Sequence, residues 1–302
     1  MFINHKFLFK VRLNFCLYFL MFIGAVSELR AQINPLAAQY YQNPYLSNPA
    51  MAGIKQGLYL NLGYRNQWGN MEGAPRNLSA TAEYGKEKVG VGFNFYKDEA
   101  GLISRTKLQG TYSYHLPLNE ETKVLHFGIS FGVQTDRLNY QNIVGSQNDL
   151  TAMRYNDQER IWDGDFGMAY SDKHFQVEAS VSNMKTQMQI ENNISNYGTF
   201  MTALSYKISG DDWQFLPKII YRGVRNYNDI IDFGAELRVL SEQLGFMSMY
   251  HTNKSMSYGL SYQREKQWQA LMLYNTPTQL LKSYATGTFE IGLRVKLNTE
   301  KK

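Results

Sequence analysis

Apolar and polar residues alternate with a period of two along most of this chain. The clearest runs are Gly57–Arg65, Lys88–Tyr96, Leu125–Gln134, Phe175–Ser182, Ile231–Val239 and Phe289–Leu297. Successive side chains of a strand point to opposite faces, so each run predicts a β-strand with one apolar face and one face of polar residues and glycine. No long stretch shows the period of an amphipathic helix, so the chain is expected to be all-β.

Two all-β architectures accommodate such strands. A soluble sandwich buries the apolar faces, whereas a transmembrane barrel turns them to lipid and keeps polar residues in its lumen. Many of the polar faces contain charged residues together with glycine and serine, as a crowded lumen requires. Aromatic residues such as Tyr64, Tyr84 and Tyr96 occur at the ends of runs, where a barrel has interfacial girdles. We favour a transmembrane antiparallel up-and-down β-barrel of about 14 strands, within a range of roughly 12–16.

The N-terminus has the pattern of a secretory signal peptide. Lys6, Lys10 and Arg12 precede the apolar run Phe15–Val26, which is too short to span a bilayer well as a helix. We predict a signal peptide over residues 1–31, cut after Ala31; a short membrane anchor is the alternative. The predicted domains are therefore 1–31 as signal peptide, 32–56 as an N-terminal Asn-Pro segment and 57–302 as the barrel.

Charge and cysteine content narrow the possible functions of the mature chain. Removal of residues 1–31 takes away four basic residues and one acidic residue, which lowers the formal charge from +5 to +2. No long basic run remains, so we expect no nucleic-acid binding. The single cysteine, Cys16, leaves with the apolar run, and the mature chain has no disulfide, thiol nucleophile or cysteine metal ligand.

The segment before the first strand is the main candidate site. It reads QYYQNPYLSNPAMAG from Gln39 to Gly53; its Asn-Pro pairs favour turns and its tyrosines are aromatic anchors with a polar tip. It either packs at or in the barrel mouth as a plug or docks a partner. The candidate residues here are Tyr40, Tyr41, Asn43, Pro44, Tyr45, Asn48, Pro49, Ala50 and Gly53.

A second group of candidates follows the first strand. Arg65, Asn66, Gln67 and Trp68 predict either an interfacial girdle with a cationic tip or part of a binding rim. Gly73, Ala74 and Pro75 come shortly after them, in the connection to the next strand.

The sequence gives little sign of catalysis. The histidines of the mature chain are far apart and have no Ser or Asp at a recognised spacing, which favours lumenal or interfacial roles for His115, His126, His174 and His251. Asp163 and Asp165 share a strand face; they form either an acid/base pair or, as we favour, lumenal charges paired with arginines such as Arg222, Arg238 or Arg294. We therefore expect no catalytic residues, no metal and no cofactor, with a barrel hydrolase as a minor alternative.

An ordered series of short motifs resembles the PorP/SprF family of outer-membrane proteins. In that family the mature chain opens with Q-Y-x-x-N-P-x-x-x-N-P-A-x-A-G, then has a first strand that ends in Y-R-N-Q-W, followed by G-A-P. The matching residues here are Gln39–Tyr40, Asn43–Pro44, Asn48–Ala50, Ala52–Gly53, Tyr64–Trp68 and Gly73–Pro75. The resemblance is close over about residues 39–140, and the chain departs from many outer-membrane barrels in its tail, which has no terminal aromatic residue.

The resemblance implies a role in the type IX secretion and gliding machinery of Bacteroidota. It implies a non-enzymatic outer-membrane barrel, made after signal-peptide cleavage, that anchors secreted surface proteins or supports their export. The implied partners are outer-membrane lipid, an adhesin-like or other cargo through its C-terminal domain, and a periplasmic lipoprotein or peptidoglycan-linked component. The alternative is a porin-like transporter with an open lumen.

Overall fold

The computed structural model describes residues 39–118, 122–138, 155–157, 160–188, 199–224, 229–265, 267–278 and 282–297. The predicted signal peptide, residues 1–31, lies outside the described residues. So does most of the two long predicted loops, Tyr140–Arg160 and Asn183–Tyr197.

The regular structure consists almost entirely of strands. Three short 3-10 turns, η1 (Gln39–Tyr41), η2 (Pro44–Leu46) and η3 (Pro49–Met51), precede the first strand, and a single short α-helix, α1 (Met184–Met188), is present among the described residues. No helix in the described ranges is both long and apolar enough to cross a membrane. The strands are β1 (Gly57–Asn66), β2 (Arg76–Lys86), β3 (Val89–Ala100), β4 (Ile103–Pro117), β5 (Val124–Leu138), β6 (Ile161–Ser171), β7 (Phe175–Ser182), β8 (Thr199–Tyr206), β9 (Ile208–Ser209), β10 (Gln214–Val224), β11 (Ile230–Val239), β12 (Leu244–His251), β13 (Ser255–Arg264), β14 (Trp268–Asn275) and β15 (Thr288–Leu297).

The sheet closes on itself. Every pair of neighbouring strands is antiparallel, and β1 pairs with both β2 and β15. The two-residue β9 continues β8 after Lys207, because both strands pair with β10. Within the described residues the result is a closed, up-and-down barrel of 14 strands, which confirms the predicted fold.

The apolar faces of the strands point outward, which distinguishes a transmembrane barrel from a soluble sandwich. On β5, Ile129 is 57% and Phe131 61% exposed, whereas Ser130 between them is 4% exposed. Polar residues therefore form much of the lumen wall, and a buried apolar cluster on β8, β12 and β14 (Met201, Met247, Met249, Leu271 and Leu273) completes it around Tyr40 and Tyr41. Tyr96 is an exception to the predicted girdle: its hydroxyl oxygen accepts a hydrogen bond from Asn77 Nδ2 at 3.0 Å, so this ring lies on the lumenal side.

The two ends of the barrel differ in the length of their connections. At one end, which we call the short-turn end, the chain enters β1 and the turns are short, such as Glu87–Lys88 between β2 and β3. There Asp172 accepts hydrogen bonds from the backbone N–H groups of His174 and Phe175, both at 2.7 Å, and these bonds hold the pKa of its carboxyl below the ordinary value. The other end, the long-loop end, carries the connections 67–75, 139–160, 183–198 and 276–287.

Candidate functional site in the barrel lumen

The Asn-Pro pairs begin short helical turns. Pro44 and Pro49 occupy the first positions of η2 and η3, where the missing N–H of proline costs nothing. The side chain of Asn48 accepts a hydrogen bond from Ala50 N at 3.0 Å and so caps η3. These turns make Gln39–Gly53, which we call the lumenal segment, a compact folded piece of chain before β1.

The lumenal segment lies inside the barrel. Its deeply buried residues include Tyr40 (2% exposed), Asn48 (0%) and Ala50 (0%). Its polar groups bond to side chains and backbone groups of strands on several sides of the lumen. These bonds join Gln39 to Glu290 (3.1 Å), Asn43 to Thr81 (3.0 Å), Tyr45 to Thr111 (2.6 Å), Ser47 O to Ser180 (2.8 Å), Asn48 to Met168 O (3.2 Å) and Ala52 O to Ser113 (2.6 Å).

Glycines of the strands make room for the lumenal segment. A Cβ built on Gly128 would come within 3.0 Å of the backbone of Pro49 and Ala50, a separation that real Cβ atoms essentially never show. Gly53 adds a second constraint, because its φ of +65° favours glycine and a Cβ there would lie 2.6 Å from Gly90 Cα. Some of the glycines on the polar strand faces are therefore the positions where the lumenal segment packs against the barrel wall. Other glycines whose built Cβ would meet this segment are Gly63, Gly85, Gly90, Gly92, Gly167, Gly234 and Gly292.

Buried ion pairs line the lumen around this segment. Arg294 donates to Glu83 at 2.9 Å and to Gln42 O at 2.9 Å, so it joins the strand wall to the lumenal segment. The other pairs with strongly buried partners are Arg65–Glu290 (3.2 Å), Lys218–Glu178 (2.9 Å), Arg222–Asp232 (2.7 Å) and Arg238–Glu236 (3.1 Å). Such pairing is required because an unpaired charge that is buried in the lumen costs a large desolvation free energy.

Asp163 and Asp165 face the lumen as predicted, and the cation that pairs with Asp165 is a lysine instead of one of the predicted arginines. Asp165 accepts from Gln109 Nε2 at 2.7 Å and from Lys107 at 3.3 Å. Asp163 accepts backbone hydrogen bonds from Gly164 (2.7 Å) and Lys185 (2.8 Å). The three arginines pair with other acids: Arg222 with Asp232, Arg238 with Glu236 and Arg294 with Glu83.

One histidine belongs to a chain of side chains that resembles a hydrolase triad. His251 Nδ1 lies 2.6 Å from Asp232 Oδ1, and His251 Nε2 lies 2.7 Å from Ser257 Oγ. However, Asn275 donates to Glu290 at 2.7 Å, which turns its carbonyl oxygen toward Ser257, and the Ser257 hydroxyl donates to that oxygen. Asp232, His251 and Ser257 are each at most 1% exposed, so the group is sealed within the lumen wall. These bonds connect β11, β12, β13 and β14 on the lumenal side of the wall.

His115 and His126 form a second lumenal pair. Their Nδ1 atoms are 2.8 Å apart across β4 and β5. His115 Nε2 donates to Ala52 O at 3.2 Å, since a carbonyl can only accept. His126 Nε2 lies 2.8 Å from Ser171 Oγ. His115 therefore bonds to the end of the lumenal segment, and His126 connects His115 to β6. Among the described residues, no group of three or more His, Cys, Asp or Glu side chains could bind a metal ion.

The structure separates the second group of candidate residues. Arg65 lies in the lumen, 6% exposed, with its Nε 3.2 Å from Glu290, so it is not the cationic tip of an interfacial girdle. Gln67 N donates to Pro75 O at 2.9 Å within the connection between β1 and β2. Asn66 ends β1, and Trp68, Gly73 and Ala74 lie in that same connection, at the long-loop end. They are not in contact with the lumenal segment through any hydrogen bond that the structure shows.

Several residues of the site could not be selected from the sequence. Glu83, Thr111, Glu290 and Arg294 bond to the lumenal segment, yet each is one polar residue among many on an inward strand face. The sequence shows only that these residues lie on the polar side of a predicted strand. This position indicates that they face the lumen, but it does not indicate that they contact the lumenal segment.

Comparison with solved structures supports the barrel fold. The Acinetobacter baumannii outer membrane protein Omp33 matches with a TM-score of 0.51 and 8% identity, over 81% of this chain and 100% of that chain. The Ralstonia pickettii toluene transporter TbuX matches with a TM-score of 0.50 and 11% identity, over 84% of this chain and 93% of that chain. At such low identity these likenesses show the fold alone. No curated relative matches the chain significantly.

The family of the chain follows from its sequence as a whole. The model of the type IX secretion system membrane protein family PorP/SprF matches residues 29–295, which include the lumenal segment and all but the end of β15. The resemblance found in the first motifs is thereby confirmed across nearly the full chain. This protein belongs to the PorP/SprF family of type IX secretion system membrane proteins.

Proposed function

We propose that this protein is a non-enzymatic outer-membrane barrel that anchors secreted surface proteins, such as adhesin-like cargo, or supports their export by the type IX system. The proposal includes signal-peptide cleavage, a location in the outer membrane, a source in Bacteroidota and a role in gliding. It also includes binding of the cargo's C-terminal domain and of a periplasmic lipoprotein or peptidoglycan-linked component. Family membership supports the secretion role, and the barrel supports the membrane location.

The main observation in favour of a binding role, and against transport, is the packing of the lumenal segment. The segment forms hydrogen bonds with β2, β4, β6, β7 and β15, and it packs closely against glycines of the strands. Beside it, the recess lined by Gln39, Gln42, Asn43 and Asn61 holds about 10 Å³, the smallest space that one water needs. A filled lumen suits a rigid membrane anchor better than a diffusion channel.

The burial of this segment also favours a plug over a direct docking element. Asn43, Asn48 and Pro49 are buried against the strands. A partner that binds these residues would therefore first have to displace the segment. Partner contacts are therefore expected at the ends of the barrel, where Trp68 and Gly73–Pro75 belong to the long-loop end.

The alternative is a porin-like transporter, and the likeness to the toluene transporter TbuX is compatible with it. Two measurements separate the functions. An anchor should show little steady conductance in planar bilayers, and the tagged protein should co-purify from outer membranes with a secreted protein that carries a type IX C-terminal domain. A large steady conductance of the intact protein, together with no specific co-purifying chain, would favour the transporter.

A further inference from the structure

A recess opens at the short-turn end of the barrel and is lined by basic side chains. Its volume is about 230 Å³, and its walls include Lys55, Arg238, Arg294 and Lys296. Lys55 precedes β1, and Lys296 lies near the end of β15. We call these four residues the cationic recess. Glu242, in the turn between β11 and β12, is the acidic residue among the lining side chains.

The four cations are only partly neutralised. Arg238 pairs with Glu236 at 3.1 Å and Arg294 pairs with Glu83 at 2.9 Å. Within the part of the chain that the structure describes, neither Lys55 nor Lys296 has a carboxylate within ion-pair distance. Positive charge therefore exceeds negative charge around the recess, and a low-dielectric wall strengthens the field inside it.

Two further features point to a bound anionic group. Arg294 is 7% exposed, and its Nε has no hydrogen-bond partner. The guanidinium carbon of Arg294 lies 4.7 Å and Lys296 Nζ 5.8 Å from the ring centroid of Tyr59, so one aromatic ring contacts two cations of the recess. The Nε atom is itself inaccessible, so Arg294 contributes positive charge to the wall, and the neighbouring Lys296 ammonium is a donor that a carboxylate accepts.

The shape and polar lining of the recess suit acidic side chains on a peptide. A volume of about 230 Å³ is smaller than the roughly 300–1,000 Å³ of drug-sized ligand sites, and it holds one or two carboxylate side chains. Three amide side chains, Gln263, Gln267 and Gln269, also line it and can bond to peptide N–H and C=O groups. The short turns of such barrels face the periplasm.

We propose that the cationic recess binds a carboxylate-bearing ligand on the periplasmic side, and that this ligand is an acidic peptide segment of a partner. Lys55 and Lys296 donate to the carboxylates, Arg294 adds positive charge to the wall, and Tyr59 holds Arg294 and Lys296 in place. The recess would bind this peptide whether or not the barrel anchors cargo, because its charge and geometry do not depend on the lumenal plug being a cargo anchor.

Titration of the full-length protein in nanodiscs tests this proposal. The probes are a fluorescein-labelled hexapeptide of glutamate, its glutamine counterpart, free glutarate and inorganic phosphate, each followed by polarisation or competition. We expect binding of the glutamate peptide, competition by glutarate and weaker binding at higher salt. In the double variant Lys55→Gln/Lys296→Gln the affinity should fall roughly tenfold or more, since charge-assisted hydrogen bonds are lost.

The matched control is the double variant Lys86→Gln/Lys88→Gln. It removes the same charge from exposed lysines at the same end of the barrel, outside the recess, and should keep wild-type affinity. Heat-modifiable migration shows that each variant is folded. Equal affinity of the glutamate peptide for the wild type and the recess variant would overturn the proposal. Binding of phosphate where glutarate and the peptide do not bind would assign the recess to phosphate and also overturn it.

Discussion

Arg294 on β15 donates to Glu83 on β2 at 2.9 Å, across the intervening strand β1. The same carboxylate accepts a hydrogen bond from Gly53 N at 3.1 Å, and Arg294 donates to Gln42 O at 2.9 Å. The ion pair therefore connects β2 and β15, the strands on either side of β1, to Gly53 and Gln42 of the lumenal segment. This relationship makes closure of the barrel and placement of the segment interdependent.

The first prediction is that Glu83→Gln destabilises the barrel by about 3–5 kcal/mol, because it leaves Arg294 buried without its charge partner. Equilibrium unfolding by denaturant in lipid vesicles measures this loss. The double variant Glu83→Gln/Arg294→Met should lose less than the two single variants together. Strict additivity of the single variants would show that the two residues do not interact.

Gly128→Ala is predicted to dislodge the lumenal segment. The Cβ added at position 128 would overlap backbone atoms of Pro49 and Ala50, and these atoms cannot move aside as the end of a flexible side chain could. Conductance in planar bilayers should rise relative to the wild type, because the lumen is no longer filled. Gly110→Ala is the matched control, since a Cβ there meets no atom within 4 Å. Equal conductance of the two variants would argue against a seated plug.

Ser257 is predicted to be structural. Ser257→Ala should lower the free energy of unfolding by about 1–3 kcal/mol, because His251 and Asn275 each lose a buried partner. The wild-type protein should not be labelled by a fluorophosphonate probe, which reacts with activated serines. Labelling that disappears in Ser257→Ala would revive the hydrolase alternative.

The lipid-facing side of β5 gives a direct test of the orientation of the strands. Phe131, 61% exposed, lies at the middle of β5, so Phe131→Arg should destabilise the barrel in vesicles by roughly 2–4 kcal/mol. Met188→Arg, at the end of α1 and outside the strands, should change stability little although Met188 is 75% exposed. Similar effects of both changes would contradict an outward apolar face in lipid.

The sequence was sufficient for the class of fold. Alternation on runs such as Leu125–Gln134 predicted which residues face outward, and the closed sheet confirms this because strand geometry fixes a period of two whatever the partner strand. Family motifs at Gln39–Gly53 predicted the family. The same alternation was sufficient to place Asp163 and Asp165 on one inward face, but it could not supply their partners.

What the sequence determined by itself was local: strand faces, the turns begun by Asn43-Pro44 and Asn48-Pro49, and family membership. Only the tertiary structure decided that the lumenal segment lies inside the barrel, that Arg65 contacts Glu290, and that Arg294 contacts Glu83. These contacts join residues about 200 positions apart. Their partners depend on how the strands close into a ring and on the register between them, and a local pattern specifies neither.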